Sequence, residues 1–225
     1  LKKKGVVKRM RKQFDKQEAI TKTQVDKAYI EYQQFMKTSN MPKYKFIYSN
    51  QKGTTIAETR YENNMYNLII ADTVRTTYKA GAQGTLFHEF THIYDEEQLA
   101  NAYGFSHDDR NTPYVYKELH AEQVKSLFLL GCKTIDDIEN VNPENKQFLY
   151  KQNLYTIYEY LLEYKIELIN NITMIETAKE TNTKINMCEF NNIINRIFYY
   201  IGTASVYLKY CDKLAFDCLD IQPVY

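Results

Sequence analysis

The spacing of apolar residues changes period along the chain. Ile20, Val25, Ala28, Tyr29 and Phe35 recur at loosely helical intervals among charged residues, which predicts a surface helix within residues 13–38 that ends before Pro42. Tyr44–Ser49, Ile56–Tyr61 and Met65–Ala71 are short and rich in β-branched and aromatic residues, with Lys52-Gly53 and Asn63-Asn64 as turn signals between them. They predict a small antiparallel sheet. From Tyr78 to Ala102 the pattern becomes helical again, with Leu86, Phe90, Ile93 and Leu99 at three- and four-residue steps. A polar loop through Asp108, Asp109 and Pro113 leads to a further helix that starts near Tyr114 and stops at Gly131, a C-terminal cap signal. Leu154, Ile157, Leu161, Leu168, Ile172 and Ile175 form one last helical pattern, and Phe190, Ile194, Ile197, Ile201 and Leu208 form another. With Thr181-Asn182-Thr183 between them, they predict a C-terminal helical hairpin.

The expected class is therefore α+β, a small sheet with a mostly helical remainder. The expected division is an N-terminal helical segment (1–42), a core (43–132) and a helical region packed on that core (133–225). No run approaches the ~18 apolar residues of a membrane span. The net charge of +1 gives no overall attraction to nucleic acid or anionic membrane, although the first twelve residues hold seven Lys or Arg and no acid. That start has no apolar stretch behind it, so it predicts no secretory leader and a cytoplasmic location, with secretion open if a leader has been removed. Cys132, Cys188, Cys211 and Cys218 are too few and too irregular for a disulfide scaffold and contain no Cys-x-x-Cys pair; reduced thiols are expected.

Chemistry enters with His88-Glu89-Phe90-Thr91-His92. On a helix the two imidazoles project from one face and can share a tetrahedral Zn²⁺, while Glu89 beside that face can take a proton from a water that the metal has acidified. Composition alone would produce this five-residue pattern in roughly one chain in 200. A third ligand is required. A metzincin would need Gly at position 95 and His at 98, where this chain has Asp95 and Gln98. The alternative is a carboxylate from a later helix, and the predicted helix from Tyr114 supplies Glu118 and Glu122 one turn apart. Glu118 is assigned as ligand and Glu122 as the acceptor that orients a ligand imidazole; the reverse pairing stays open. Asp95, one turn beyond His92, is a second candidate for orienting an imidazole or faces solvent. His120 lies about 200° around the helix from Glu118 and is a bystander. His107 is expected at the surface, with a role in steering substrate as the alternative. Tyr114, four residues before Glu118, is the first candidate to stabilise an oxyanion, ahead of Tyr116.

The segments HEFTHIYDEE (88–97) and ELHAE (118–122) resemble the HEFxHxxD and ExxAE motifs of gluzincin peptidases of the lethal-factor and Pro-Pro endopeptidase type, over the catalytic core only. That resemblance implies a zincin-like fold and the ligand role for Glu118. Glu118 follows His92 by 26 positions, a short spacing similar to that of phage and mobile-element ImmA/IrrE-type peptidases. One departure stands out: the lethal-factor pattern has a catalytic Tyr seven residues before the ligand Glu, where this chain has Asn111. The expected function is zinc-dependent hydrolysis of a peptide bond in a protein partner, with neither nucleic acid nor membrane involved. The rival expectation is a non-catalytic, zinc-containing interaction protein that uses its helical region to bind a partner.

Overall fold

A computed structural model of the chain describes residues 19–49, 56–71, 79–104, 107, 114–136, 147–150 and 153–210. Helix α1 spans Lys22–Phe35 and opens on Thr21, whose side chain and that of Gln24 cap each other's backbone reciprocally. Its spacing buries Val25, Ala28, Tyr29, Tyr32 and Phe35 on one face. Strands β1 (Tyr44–Ser49), β2 (Ala57–Glu62) and β3 (Met65–Ala71) follow. Asn63 and Asn64, with φ of 53° and 59°, join β2 to β3 as the tight turn the sequence predicts.

The sheet is not antiparallel throughout. Its order is β1-β3-β2, with β2 antiparallel to β3 but β1 parallel to it, Tyr44 opposite Tyr66 and Ser49 opposite Ala71. Burial explains the order. β3 carries Tyr66, Leu68 and Ile70 almost wholly buried and so takes the centre, whereas Ala-Glu-Thr-Arg-Tyr-Glu of β2 alternates polar residues and suits an edge. The predicted Lys52-Gly53 turn lies outside the described residues.

Helix α2 (Lys79–Tyr103) carries the His-Glu motif, and α3 (Tyr114–Leu130) packs along it. α3 ends as its sequence predicts: Gly131 takes φ 93° and donates to Phe128 O, while Cys132 N donates to Leu127 O. A two-stranded ribbon, β4 (Gln147–Tyr150) and β5 (Asn153–Thr156), then leads into α4 (Ile157–Glu180) and α5 (Met187–Tyr210). Leu154, expected in the helix, is therefore a strand residue; the helix begins only where Thr156 and Glu159 form a reciprocal cap.

The α4/α5 hairpin forms, with the buried face of α5 rotated from the expected stripe, of which Ile197 still packs against the core. Phe190 and Ile201 are 39% and 41% exposed, whereas Ile193, Tyr200, Thr203 and Ala204 are buried. Contact with α3 buries the second set. Gly202 makes that contact close, since a Cβ there would lie 2.6 Å from Leu119 O and 2.9 Å from Glu122 Cβ. Cys132 is buried. Among the described residues, no helix is long and apolar enough to cross a membrane.

Candidate metal centre

Rotation of α2 about its axis decides what the motif can do, and aromatic packing fixes that rotation. Phe87 and Phe90, interleaved with His88 and Glu89, point into the core. Phe90 meets Tyr29 edge-on with centroids 4.7 Å apart, and Phe87 meets Tyr32, Phe35 and Phe128 at 5.3, 5.4 and 4.1 Å. Burying each such ring contributes about 2 kcal/mol or more, far beyond what surface polar contacts on the opposite face supply. Thr91, fully buried, accepts a hydrogen bond from Tyr32 Oη at 3.1 Å and donates to Phe87 O. The opposite face, with His88, Glu89 and His92, is thereby directed at a cleft of about 750 Å³ lined by β2, α2, α3 and α5.

In that cleft His88 Nε2 and His92 Nε2 are 3.1 Å apart, and Glu118 Oε2 lies 3.3 and 3.6 Å from them. Ligand atoms about 2.0–2.1 Å from a tetrahedral ion are separated by about 3.3 Å, so this triangle has the size of one face of such a coordination shell. His88 Nδ1 faces Glu122 Oε2 at 3.1 Å. Because a carboxylate only accepts, Nδ1 carries a proton, so in the neutral ring it is Nε2 that presents a lone pair to the triangle. Glu118 Oε2 is buried and has no hydrogen-bond partner among the described residues, an expense that a cation at the centre of the triangle removes. His88, His92 and Glu118 thus form a buried group able to hold a metal ion.

Charges around the triangle are arranged to the same end. At His88, burial opposes the charged form but Glu118 and Glu122 outweigh it and carry the pKa up to about 9; at His92, burial and the neighbouring His88 bring it down to about 3. Two imidazoles at this distance compete for a single proton, which a cation would replace. Burial would raise Glu122, yet Lys125 and His88 hold it down at about 2, so its carboxylate is a permanent anion. Lys125 Nζ donates to both of its oxygens, at 2.8 and 3.1 Å, and Thr203 Oγ1 to one at 3.3 Å. Glu118 thus stands at the triangle and Glu122 behind His88 Nδ1.

Glu89 is 6% exposed, and burial raises its pKa, with the charge on His88 opposing. Thr59 Oγ1 donates to Glu89 Oε2 at 2.9 Å and lies 3.3 Å from Glu89 O, so an edge-strand residue orients the carboxylate. Tyr199 arrives from α5, its ring edge-on to His88 with centroids 5.4 Å apart, and its hydroxyl donates to Glu118. Burial, then Glu118, Glu122 and Glu89, raise the Tyr199 pKa far above normal and keep it a proton donor. No search along the sequence would single it out, since it is one of 21 tyrosines and lies 81 positions from the carboxylate it touches. Thr59 was legible only as an inward position of an alternating strand.

Other candidates fall elsewhere. Asp95 orients an imidazole, but its hydrogen bond goes to that of His120, whose Nδ1 lies 2.8 Å from Asp95 Oδ1 on the flank of the α2/α3 interface, and not to that of His88 or His92. His107 stacks on Tyr61 with centroids 4.2 Å apart and bonds Glu97 at 2.8 Å, outside the residues that line the cleft. The side chains of Tyr114 and Tyr116 lie outside the described residues. No protein-family model matches the chain, and neither a curated protein nor a solved structure is significantly similar to it.

Proposed function

We propose that this chain is a zinc-dependent peptidase of the gluzincin type that hydrolyses a peptide bond in a protein partner. The observation that carries the reading is the conjunction of the buried His88/His92/Glu118 triangle with Glu89 held beside it in an open cleft. Two imidazoles and one carboxylate, with no fourth protein ligand among the described residues, match a catalytic rather than a closed structural zinc site. Zinc bound there would polarise a carbonyl and lower the pKa of water toward about 7.

The remaining work belongs to the chain. Glu89 takes the proton of the attacking water and passes it to the departing amine, and its raised pKa brings it nearer the range useful for that exchange. Thr59 keeps the carboxylate turned toward the reaction. Tyr199 supplies the hydroxyl for the developing oxyanion, the role the sequence assigns to Tyr114. Strand β2 ends the sheet, and Ala57–Arg60 line the cleft, so an extended peptide can align against that edge by strand addition.

Glu89→Gln tests the reading. The variant should bind one zinc per chain as the wild type does and lose cleavage by about 10²–10⁴-fold. New peptide termini in candidate lysates should appear with zinc-loaded wild type only. Identical peptide maps from the two proteins, with zinc bound to both, would replace the peptidase by a non-catalytic interaction protein.

A further inference from the structure

Among the described residues three cationic side chains line the cleft, and they differ in how far their hydrogen-bonding capacity is already spent. Arg60 is chelated by Glu58, Nε to Oε1 at 2.6 Å and Nη2 to Oε2 at 2.8 Å, which closes its fork against one carboxylate. Lys125 is committed to both oxygens of Glu122. Arg196, on α5, makes one bond through Nη1 to Glu167 Oε2 at 3.0 Å. A guanidinium has five N–H donors, so most of its fork is still available to a second carboxylate. Its side chain is 45% exposed, and it stands at the cleft between Asn192 and Tyr199 on the same helix.

The α5 wall is polar beyond Arg196. Asn195, which also lines the cleft, keeps its side-chain oxygen buried without a hydrogen-bond partner among the described residues. Asn192, Asn195 and Tyr199 give the α5 wall around the guanidinium a polar lining. Glu167 holds Arg196 from the α4 side through a single bond, which positions the guanidinium without saturating it.

We propose that Arg196 makes the α5 wall a carboxylate subsite, so that the cleft selects peptides with an acidic group close to the scissile bond. The inference rests on the peptidase reading and deepens it by naming the substrate class. The carboxylate has two possible sources, an Asp or Glu side chain or a free C-terminus, and the experiment separates them.

Zinc-loaded wild type is incubated with a randomised dodecapeptide library, in free-acid and C-terminally amidated forms. Cleaved products should be enriched about tenfold in Asp or Glu over Asn or Gln at one position near the cut, a modest value because Arg196 is partly solvated. A preference retained in the amidated library assigns a side-chain carboxylate; one confined to the free-acid library assigns a C-terminus. Arg196→Glu should abolish or invert the preference toward Lys and Arg. Glu167→Gln should keep or strengthen it, whereas a merely structural ion pair predicts that Glu167→Gln and Arg196→Glu weaken cleavage alike without changing sequence preference. Absence of acidic enrichment in the wild type, or the same enrichment in Arg196→Glu, overturns the proposal. If the wild type cleaves nothing, the peptidase reading falls. Binding of fluorescent acidic and amide-matched peptides to zinc-loaded Glu89→Gln then decides the subsite separately, with equal affinities counting against it.

Discussion

Replacing Glu122 by Gln changes one atom and one charge at a residue only 1% exposed, and the consequences can be followed through its partners. His88 Nδ1 can still donate to an amide oxygen, but the bond loses its charge assistance. The amide nitrogen must then face Lys125 and Thr203, both donors toward the wild-type carboxylate. Lys125, 21% exposed, can turn to solvent, so the fold should survive; His88 is left less firmly oriented and less basic at Nε2. The expected loss of zinc affinity is about 10–100-fold, or about 1.4–2.7 kcal/mol. Protonation does not blur the comparison near neutral pH, because the wild-type carboxyl, held at about 2 against burial by Lys125 and His88, is fully ionised there. Competition with a chromophoric chelator measures the change directly, with circular dichroism as a check on folding. Glu118→Ala, run beside it, should reduce zinc binding far more, since it removes a corner of the triangle. Affinity of Glu122→Gln within about threefold of wild type would refute the argued role of Glu122. Loss of zinc in Glu122→Gln with retention in Glu118→Ala would show the two roles to be reversed.

Tyr199→Phe should keep zinc but lower kcat by about 10²-fold or more, the usual cost of one lost oxyanion donor. Loss of zinc instead would make the hydroxyl a support for Glu118 and nothing further. Gly202→Ala should destabilise by about 1–3 kcal/mol, because the new methyl meets the Leu119 carbonyl rather than a movable side chain. Thermal denaturation should show a Tm lower by about 2–4 °C per kcal/mol, and an unchanged Tm would deny the close α3/α5 contact.

The resemblance to gluzincins adds expectations that the structure supports only as far as a metal-capable group within a mixed α+β fold. What the sequence by itself determined is local. The four-residue spacing of His88 and His92, the one-turn spacing of Glu118 and Glu122, the Gly131 stop and the Asn63-Asn64 turn each follow from helical or turn geometry within a few residues, and each stands as expected. Helix α4 begins only after the reciprocal cap of Thr156 and Glu159, later than the Leu154 pattern suggested. Tertiary structure decided whatever depended on a partner distant in the chain. Pairing of β1 with β3 rather than β2 follows from which strand buries most surface, and alternation within a strand is the same for parallel and antiparallel neighbours. The apolar stripe expected on α5 is only partly buried, and the close packing of Gly202 on α3 goes with the rotation that brings Tyr199 and Arg196 to the cleft. Asp95 found His120 rather than a ligand imidazole for the same reason: helical spacing says which residues share a face, but the packing of α3 on α2 says what that face meets.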